Sequence, residues 1–169
     1  MNRIQRICVY CGSSDKVAAD YLQAAAQLGQ LLAEKKIGLV FGGGKTGMMG
    51  AVADAMAVNG AETIGIIPEM FNIPALIHAG LTELRVVDTM HTRKARMAEI
   101  ADAFIALPGG FGTFEELFEI ITWSQIGLHQ QPVGILNVNG YYDPMMKMIE
   151  HAQREGFIYE EHRALIVQD

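Results

Sequence analysis

The sequence is poor in several things at once. Its 169 residues include two cysteines, one tryptophan and five prolines. Two cysteines cannot build the disulfide framework that small secreted domains rely on, and so few prolines mark neither a linker nor a low-complexity segment. No apolar run reaches the roughly 18 residues that a membrane-crossing helix requires. The opening "MNRIQRICVYCGSS" runs straight into a strand, without a signal-peptide core and cleavage site. The expectation is a cytoplasmic chain with no membrane partner. Positive charge is scarce too: 13 Lys and Arg against 19 Asp and Glu give a formal charge of −6 and a pI near 5.3, with no basic run. That balance argues against nucleic acid held through its phosphates.

What is present is an ordinary apolar share, 50%, and 18 glycines. A chain of this length suits one domain over residues 1–169 with a substantial core. Apolar runs of four to six residues alternate with longer stretches of helical period. That is the pattern of an α/β fold of the Rossmann-like kind: an open, mostly parallel sheet with helices on both faces. Strands are expected at residues 6–10, 38–41, 62–67, 83–87, 103–107 and 132–136, with a short one at 164–167. A helix over 18–35 places Tyr21, Leu22, Ala25, Leu28 and Leu32 on one stripe. Residues 68–81, with two prolines and a glycine, read as a loop or partial lid. "GYYDPMMKMIEHAQREGFI" reads as an amphipathic helix capped by Asp143, with Pro144 at its first position.

Cys8 and Cys11 stand in a Cys-x-x-Cys. Structural zinc needs four ligands and redox pairs of this spacing open a helix, whereas these lie on the strand "RICVYC" with side chains facing opposite ways. They read as reduced, packed cysteines. The five histidines, His78, His91, His129, His151 and His162, have no metal-ligand spacing, so no metal site is expected.

In open parallel sheets ligands sit beyond the carboxyl ends of strands, so the strand-to-helix turns carry the search. Four stand out: "CGSSD" with Ser14 and a cap-like Asp15, "FGGGKTG", "DTMHTRKA" and "LPGGFGTFEE". The second is not a P-loop, because Leu39 stands where the first glycine should be. Gly42, Gly44 and Gly47 fit a dinucleotide fingerprint, but Glu62 and Glu69 are both misplaced for a ribose contact. What survives is an anion expected near Gly43 and Gly44, at a helix N-terminus.

The fourth turn is the most informative. Pro108 ends a strand, Gly109, Gly110 and Gly112 permit close backbone approach, and Thr113 is expected to cap a helix while meeting a phosphate oxygen. Glu115 and Glu116 follow about 100° apart, so they serve different tasks. The helix dipole is expected to keep a carboxyl here low, favouring a carboxylate over a general acid. A carboxylate beside a sugar can stabilise an oxocarbenium-like centre or orient a water. "MHTRKARM" supplies the opposite charge: Arg93, Lys94 and Arg96 open a helix, a poor place for cations unless an anion or an acid pairs with them. Arg93 precedes Glu116 by 23 residues, and both open helices that follow strands, so they can converge on one crevice.

These residues carry a resemblance. "PGGFGTFEE" matches the PGGxGTxxE of the Lonely Guy family of cytokinin-activating phosphoribohydrolases, and "MHTRKARM" matches its Arg-Lys motif. "CGSS", "VFGGGKTGMMG", "GIIP" and "ITWSQIGLHQQPVGILNVNGYYD" extend the likeness over nearly the whole chain. The resemblance implies hydrolysis of the N-glycosidic bond of AMP or its N6-prenylated forms, without a cofactor. It implies Arg93 and Glu116 as the catalytic pair, and Lys94, Gly110, Phe111, Gly112, Thr113, Glu115 and Thr122 as substrate contacts. It also implies a homodimer with the site near the interface. One departure concerns the base: plant members carry a glutamate that contacts substrate, where this chain has Ala75. A carrier of the same fold, binding a nucleotide or molybdenum cofactor without hydrolysis, is the alternative. "FGGGKTGMMG" then reads as one wall of a mononucleotide pocket whose phosphate lies mainly on "PGGFGT".

Overall fold

The computed structural model describes residues 3–159 and 166–168. Seven strands form one sheet in which every pairing is parallel: β1 (Arg6–Tyr10), β2 (Gly38–Phe41), β3 (Thr63–Pro68), β4 (Glu83–Val87), β5 (Ala103–Ala106), β6 (Val133–Ile135) and β7 (Ile166–Gln168). Their order is β4-β3-β2-β1-β5-β6-β7. The expected strands lie where their apolar runs placed them, within one residue at either end except for the last. Residues 164 and 165 of that one, like His162, lie outside the described residues.

Each strand from β1 to β3 reads as a near-continuous apolar run because both faces are covered. On one face, α1 (Ala19–Glu34) and α2 (Gly47–Val58) pack Ala25, Leu28, Leu32, Val52 and Met56 against Ile7, Leu39 and Phe41. On the other, α3 (Met90–Ile100), α4 (Phe111–Gln125) and the start of α5 (Asp143–Arg154) bring Met97, Leu117, Ile120 and Tyr142 onto Val40, Ile64 and Phe104. Cys11 belongs to the first core and Cys8 to the second, both as free thiols, so the sheet itself separates them.

The connection from β3 to β4 has no α-helix. It is a 3-10 turn at Glu69–Phe71 followed by irregular chain that touches Gly44 through an isolated bridge at Ile77. His78 fixes its far end: the backbone N–H donates to Gly43 O at 2.9 Å, and the buried ring meets Asp54 of α2 at 3.0 Å. Two expected caps belong elsewhere. Tyr142, not Asp143, is the N-cap of α5, because the Asp143 carboxylate is engaged by Asn137 Nδ2 at 2.7 Å. Asp15 caps α2 rather than the helix that follows it, accepting from Gly47 N at 2.8 Å, while Ala18 stands at the start of α1.

Candidate active site

Strand order reverses between β1 and β5: the chain runs from β1 outward to β4, then returns to the other side of β1. The turns after β1 and β5 therefore diverge at the carboxyl edge of the sheet, where open α/β folds leave a crevice. Two hollows lie along this edge. One, of about 270 Å³, is walled by Gly42, Gly43, Gly44 and Arg93 on its polar side. Met49, Ile67, Pro68, Phe71, Leu76 and Ile77 make its apolar side. The other, of about 260 Å³, lies between Ser14, Tyr21, Gly109, Gly110 and Tyr141. Ser13 borders both.

Arg93 and Glu116 converge as the spacing suggested. Arg93, in the first turn of α3, is 7% exposed; Glu116, in the second turn of α4, is 6% exposed. Arg93 Nη1 donates to Glu116 Oε1 at 2.9 Å, and Arg93 Nε donates to Ile66 O on β3 at 3.0 Å. The free edge of the guanidinium lies over Gly42, where a Cβ would stand 2.2 Å from Nη2. Only glycine leaves that space. Thr89 gives α3 its cap by accepting from Thr92 N at 3.1 Å.

The direction in which the Glu116 carboxyl is shifted departs from expectation. Burial pushes its carboxyl above the ordinary range, opposed by the Arg93 guanidinium. The helix dipole does not hold it down, because Glu116 is the sixth residue of α4 and the dipole acts within the first turn. Lys94 sits beside this pair, its ammonium held by Glu115 and by Glu119, the latter at 2.9 Å. Burial opposes its charge, yet the two carboxylates outweigh that and raise Lys94 above its usual value. Arg96 pairs with Glu99 on the same helix, so each of the three cations at the helix start has an acidic partner.

The glycine turn after β5 is drawn against the turn after β1. Gly12 N donates to Pro108 O at 3.0 Å, and a Cβ on Gly109 would meet Thr113 Oγ1 at 2.0 Å and Gly12 N at 2.9 Å. Thr113 therefore does not cap α4. Gly110 is the cap residue, with no side-chain bond, and the buried Thr113 hydroxyl lies against Gly109. The first N–H groups of α4 have no intrahelical partner by construction, which leaves them for an anion.

The other expected residues divide. Ser14, Gly43, Gly44, Gly109 and Gly110 line the hollows. Phe111, 93% exposed, and Gly112 face solvent at the start of α4. Thr122 is exposed two turns beyond Glu115 and donates to Phe118 O at 2.7 Å. The glycine turn after β2 is partly occupied by the chain itself, through His78 N on Gly43 O and Lys45 N on Leu76 O. Met49, Phe71 and Tyr141 are site neighbours that motif reading did not single out. Ala75 is exposed and lines neither hollow.

Comparison with known proteins then decides the family. Residues 49–168 match the family described as "possible lysine decarboxylase". A cytokinin riboside 5'-monophosphate phosphoribohydrolase of Oryza sativa subsp. japonica is 51% identical over 166 residues, 98% of this chain and 69% of that protein. The chain belongs to the Lonely Guy family. A second member, from Arabidopsis thaliana and of the same described activity, is 49% identical over 98% of this chain and 76% of its own length. Among solved structures, a molybdenum cofactor binding protein from Rippkaea orientalis superposes with a TM-score of 0.73, covering 98% of this chain and 89% of that one. At 22% identity it shows the shared fold alone. Lonely Guy membership also sets aside the decarboxylase wording: Lys45 is exposed on its turn and Lys94 is bound to two carboxylates, so neither is poised as an amine nucleophile.

Proposed function

We propose that this chain hydrolyses the N-glycosidic bond of a nucleoside 5′-monophosphate, AMP or an N6-modified form of it, to free base and ribose 5-phosphate. The observation that carries the reading is the buried Arg93–Glu116 pair at 2.9 Å, set beside a glycine turn that opens a helix. Family membership and the activity named for the rice and Arabidopsis relatives support it.

In this reading the phosphate rests on the N–H groups that open α4, with Ser14, Gly109, Gly110, Gly112 and Thr113 around it. The ribose lies across Ser13 toward Arg93 and Glu116, and the base meets the apolar wall that includes Met49, Phe71 and Leu76. The bond from ribose C1′ to the base nitrogen breaks with its electron pair leaving on the base. Water oxygen bonds to C1′, and the water's proton balances the charge on the departing base. Glu116 as carboxylate orients that water or faces the ribosyl cation; Arg93 holds the substrate and offsets charge as the bond breaks. No step calls for a cofactor, and among the described residues no group of three His, Cys, Asp or Glu could hold a metal ion.

We read the working form as a cytoplasmic homodimer. No helix among the described residues is long and apolar enough to cross a membrane. Phe111, Phe118, Thr122 and Ile126 lie along one exposed side of α4, and Leu128 is exposed just beyond it. A partner on that side would bring Phe111 and Thr122, which stand apart from both hollows in one chain, to the edge of a site.

Chromatography of base release from AMP, N6-isopentenyl-AMP and the two nucleosides tests the function. Release from the monophosphates alone is the expected result. AMP that binds and stays intact would instead favour a carrier.

A further inference from the structure

Four consecutive carbonyls run through the glycine turn after β5, and each is taken by a different donor. Leu107 O accepts from the Tyr142 hydroxyl at 2.7 Å, Pro108 O from Gly12 N at 3.0 Å, Gly109 O from the Tyr141 hydroxyl, and Gly110 O from Phe114 N at 3.0 Å. Two of these donors are neighbours in the sequence. They come from "NGYYD", more than thirty residues beyond the turn they hold.

The placement of both tyrosines is itself over-determined. Tyr142 is 1% exposed, and its backbone N–H donates to Asn137 Oδ1 at 2.7 Å while Asn137 Nδ2 holds Asp143. Tyr141 is wedged edge-on between Tyr21 and Tyr142 and stacks on Phe114 of α4. Burial raises the Tyr142 hydroxyl above its ordinary value, so it remains a donor across the working pH range.

This clamp has a consequence for charge. Lys94 is held by Glu115 and Glu119, and Arg93 uses Nη1 on Glu116 and Nε on Ile66 O, so the guanidinium edge left over lies at Gly42, in the hollow that does not include the glycine turn after β5. Recognition of a dianion then falls on backbone N–H groups, and these help only if no peptide in the turn rotates to present its carbonyl. A flipped peptide would replace a donor dipole with an acceptor facing the anion.

We propose that Tyr141 and Tyr142 are positioning residues for phosphate recognition: their hydroxyls pin Gly109 and Leu107 on either side of Pro108, which keeps the N–H groups from Gly110 onward turned toward the anion. This rests on the phosphate reading above and assigns it a determinant outside the glycine motif. The pair acts on the turn, not on the bond that breaks.

The test is calorimetric binding of ribose 5-phosphate, AMP and adenine to the wild-type chain and to Tyr141→Phe, which keeps the ring and removes only the hydroxyl. Loss of one such hydrogen bond is expected to weaken ribose 5-phosphate and AMP about fivefold, with adenine unchanged and KM for AMP rising while kcat holds. Tyr142→Phe leaves a buried carbonyl unpaired and is expected to lower the melting temperature as well. A purely structural role would instead reduce the active fraction and lower kcat without moving KM. Equal weakening of all three ligands by Tyr141→Phe, or no change in any, would overturn the proposal; so would a wild-type chain that does not bind ribose 5-phosphate. If the wild type binds AMP and ribose 5-phosphate yet releases no base, the hydrolase reading fails while the clamp is still judged by the binding arms.

Discussion

Gly42→Ala separates the position of Arg93 from the stability of the fold. A Cβ at residue 42 would stand 2.2 Å from Arg93 Nη2, whereas ordinary contact begins near 3.4 Å, and its other near neighbour, the Met49 methyl, already sits at 3.4 Å. The guanidinium must therefore move by roughly an ångström, a displacement that can cost about a hundredfold in rate when it shifts a catalytic group. How far stability falls depends on what the movement breaks. If Arg93 keeps its bond to Glu116 and yields only the one to Ile66 O, the loss is that of a single hydrogen bond, about 1.5–3 kcal/mol because the donor is charged. If the pair parts, a buried carboxylate loses its partner and about 3–5 kcal/mol is expected. The assay is base release from AMP alongside thermal unfolding, with Gly134→Ala as a control, since a Cβ there meets only ordinary contacts at 3.7 Å or more. A hundredfold fall in kcat/KM with the chain still folded is the expected outcome. Activity within threefold of wild type would refute the claim that Arg93 must hold this position.

Other consequences follow from charge and burial. Because burial raises the Glu116 carboxyl, a role as carboxylate requires kcat to rise with pH through a value above the ordinary 4.5. A rate that falls through that window would make Glu116 a general acid. The same shift means the folded chain holds a proton that the unfolded chain has released between the two values. Wild-type stability relative to Glu116→Gln should therefore decline as pH climbs through the window, measurable by denaturant titration. Cys8 and Cys11 are buried on opposite faces, and burial pushes both thiols well up, so a thiol reagent should label neither in the native chain and both after unfolding. Rapid native labelling would contradict the packing described for β1.

Much of the fold was legible because parallel strands buried on two faces leave unbroken apolar runs, as at "CVY", "GLVF" and "TIGIIP". Arg93 and Glu116 were legible for a related reason: each lies in the first two turns of a helix that follows a strand, and parallel topology sends all such helix starts to one edge. What could not be read depends on contacts between distant turns. The cap of α4 falls to Gly110 while the Thr113 hydroxyl lies on Gly109, in a turn that is itself bonded to Gly12 after the neighbouring strand β1. Asp15 serves a helix that begins 32 residues later. The tyrosines of "NGYYD" looked like the approach to a helix, yet their hydroxyls reach back to the glycine turn. The Glu116 shift was misjudged for the same cause, since its local place on a helix says nothing of how deeply neighbouring strands bury it.

The most direct measurement compares AMP binding and adenine release in Glu116→Gln. The proposed function puts Glu116 at the reacting centre and the phosphate on the glycine turn. It predicts that the variant still binds AMP by calorimetry, within tenfold of wild type, while adenine release falls by at least a hundredfold. Adenine released at the wild-type rate by a folded Glu116→Gln chain would contradict it.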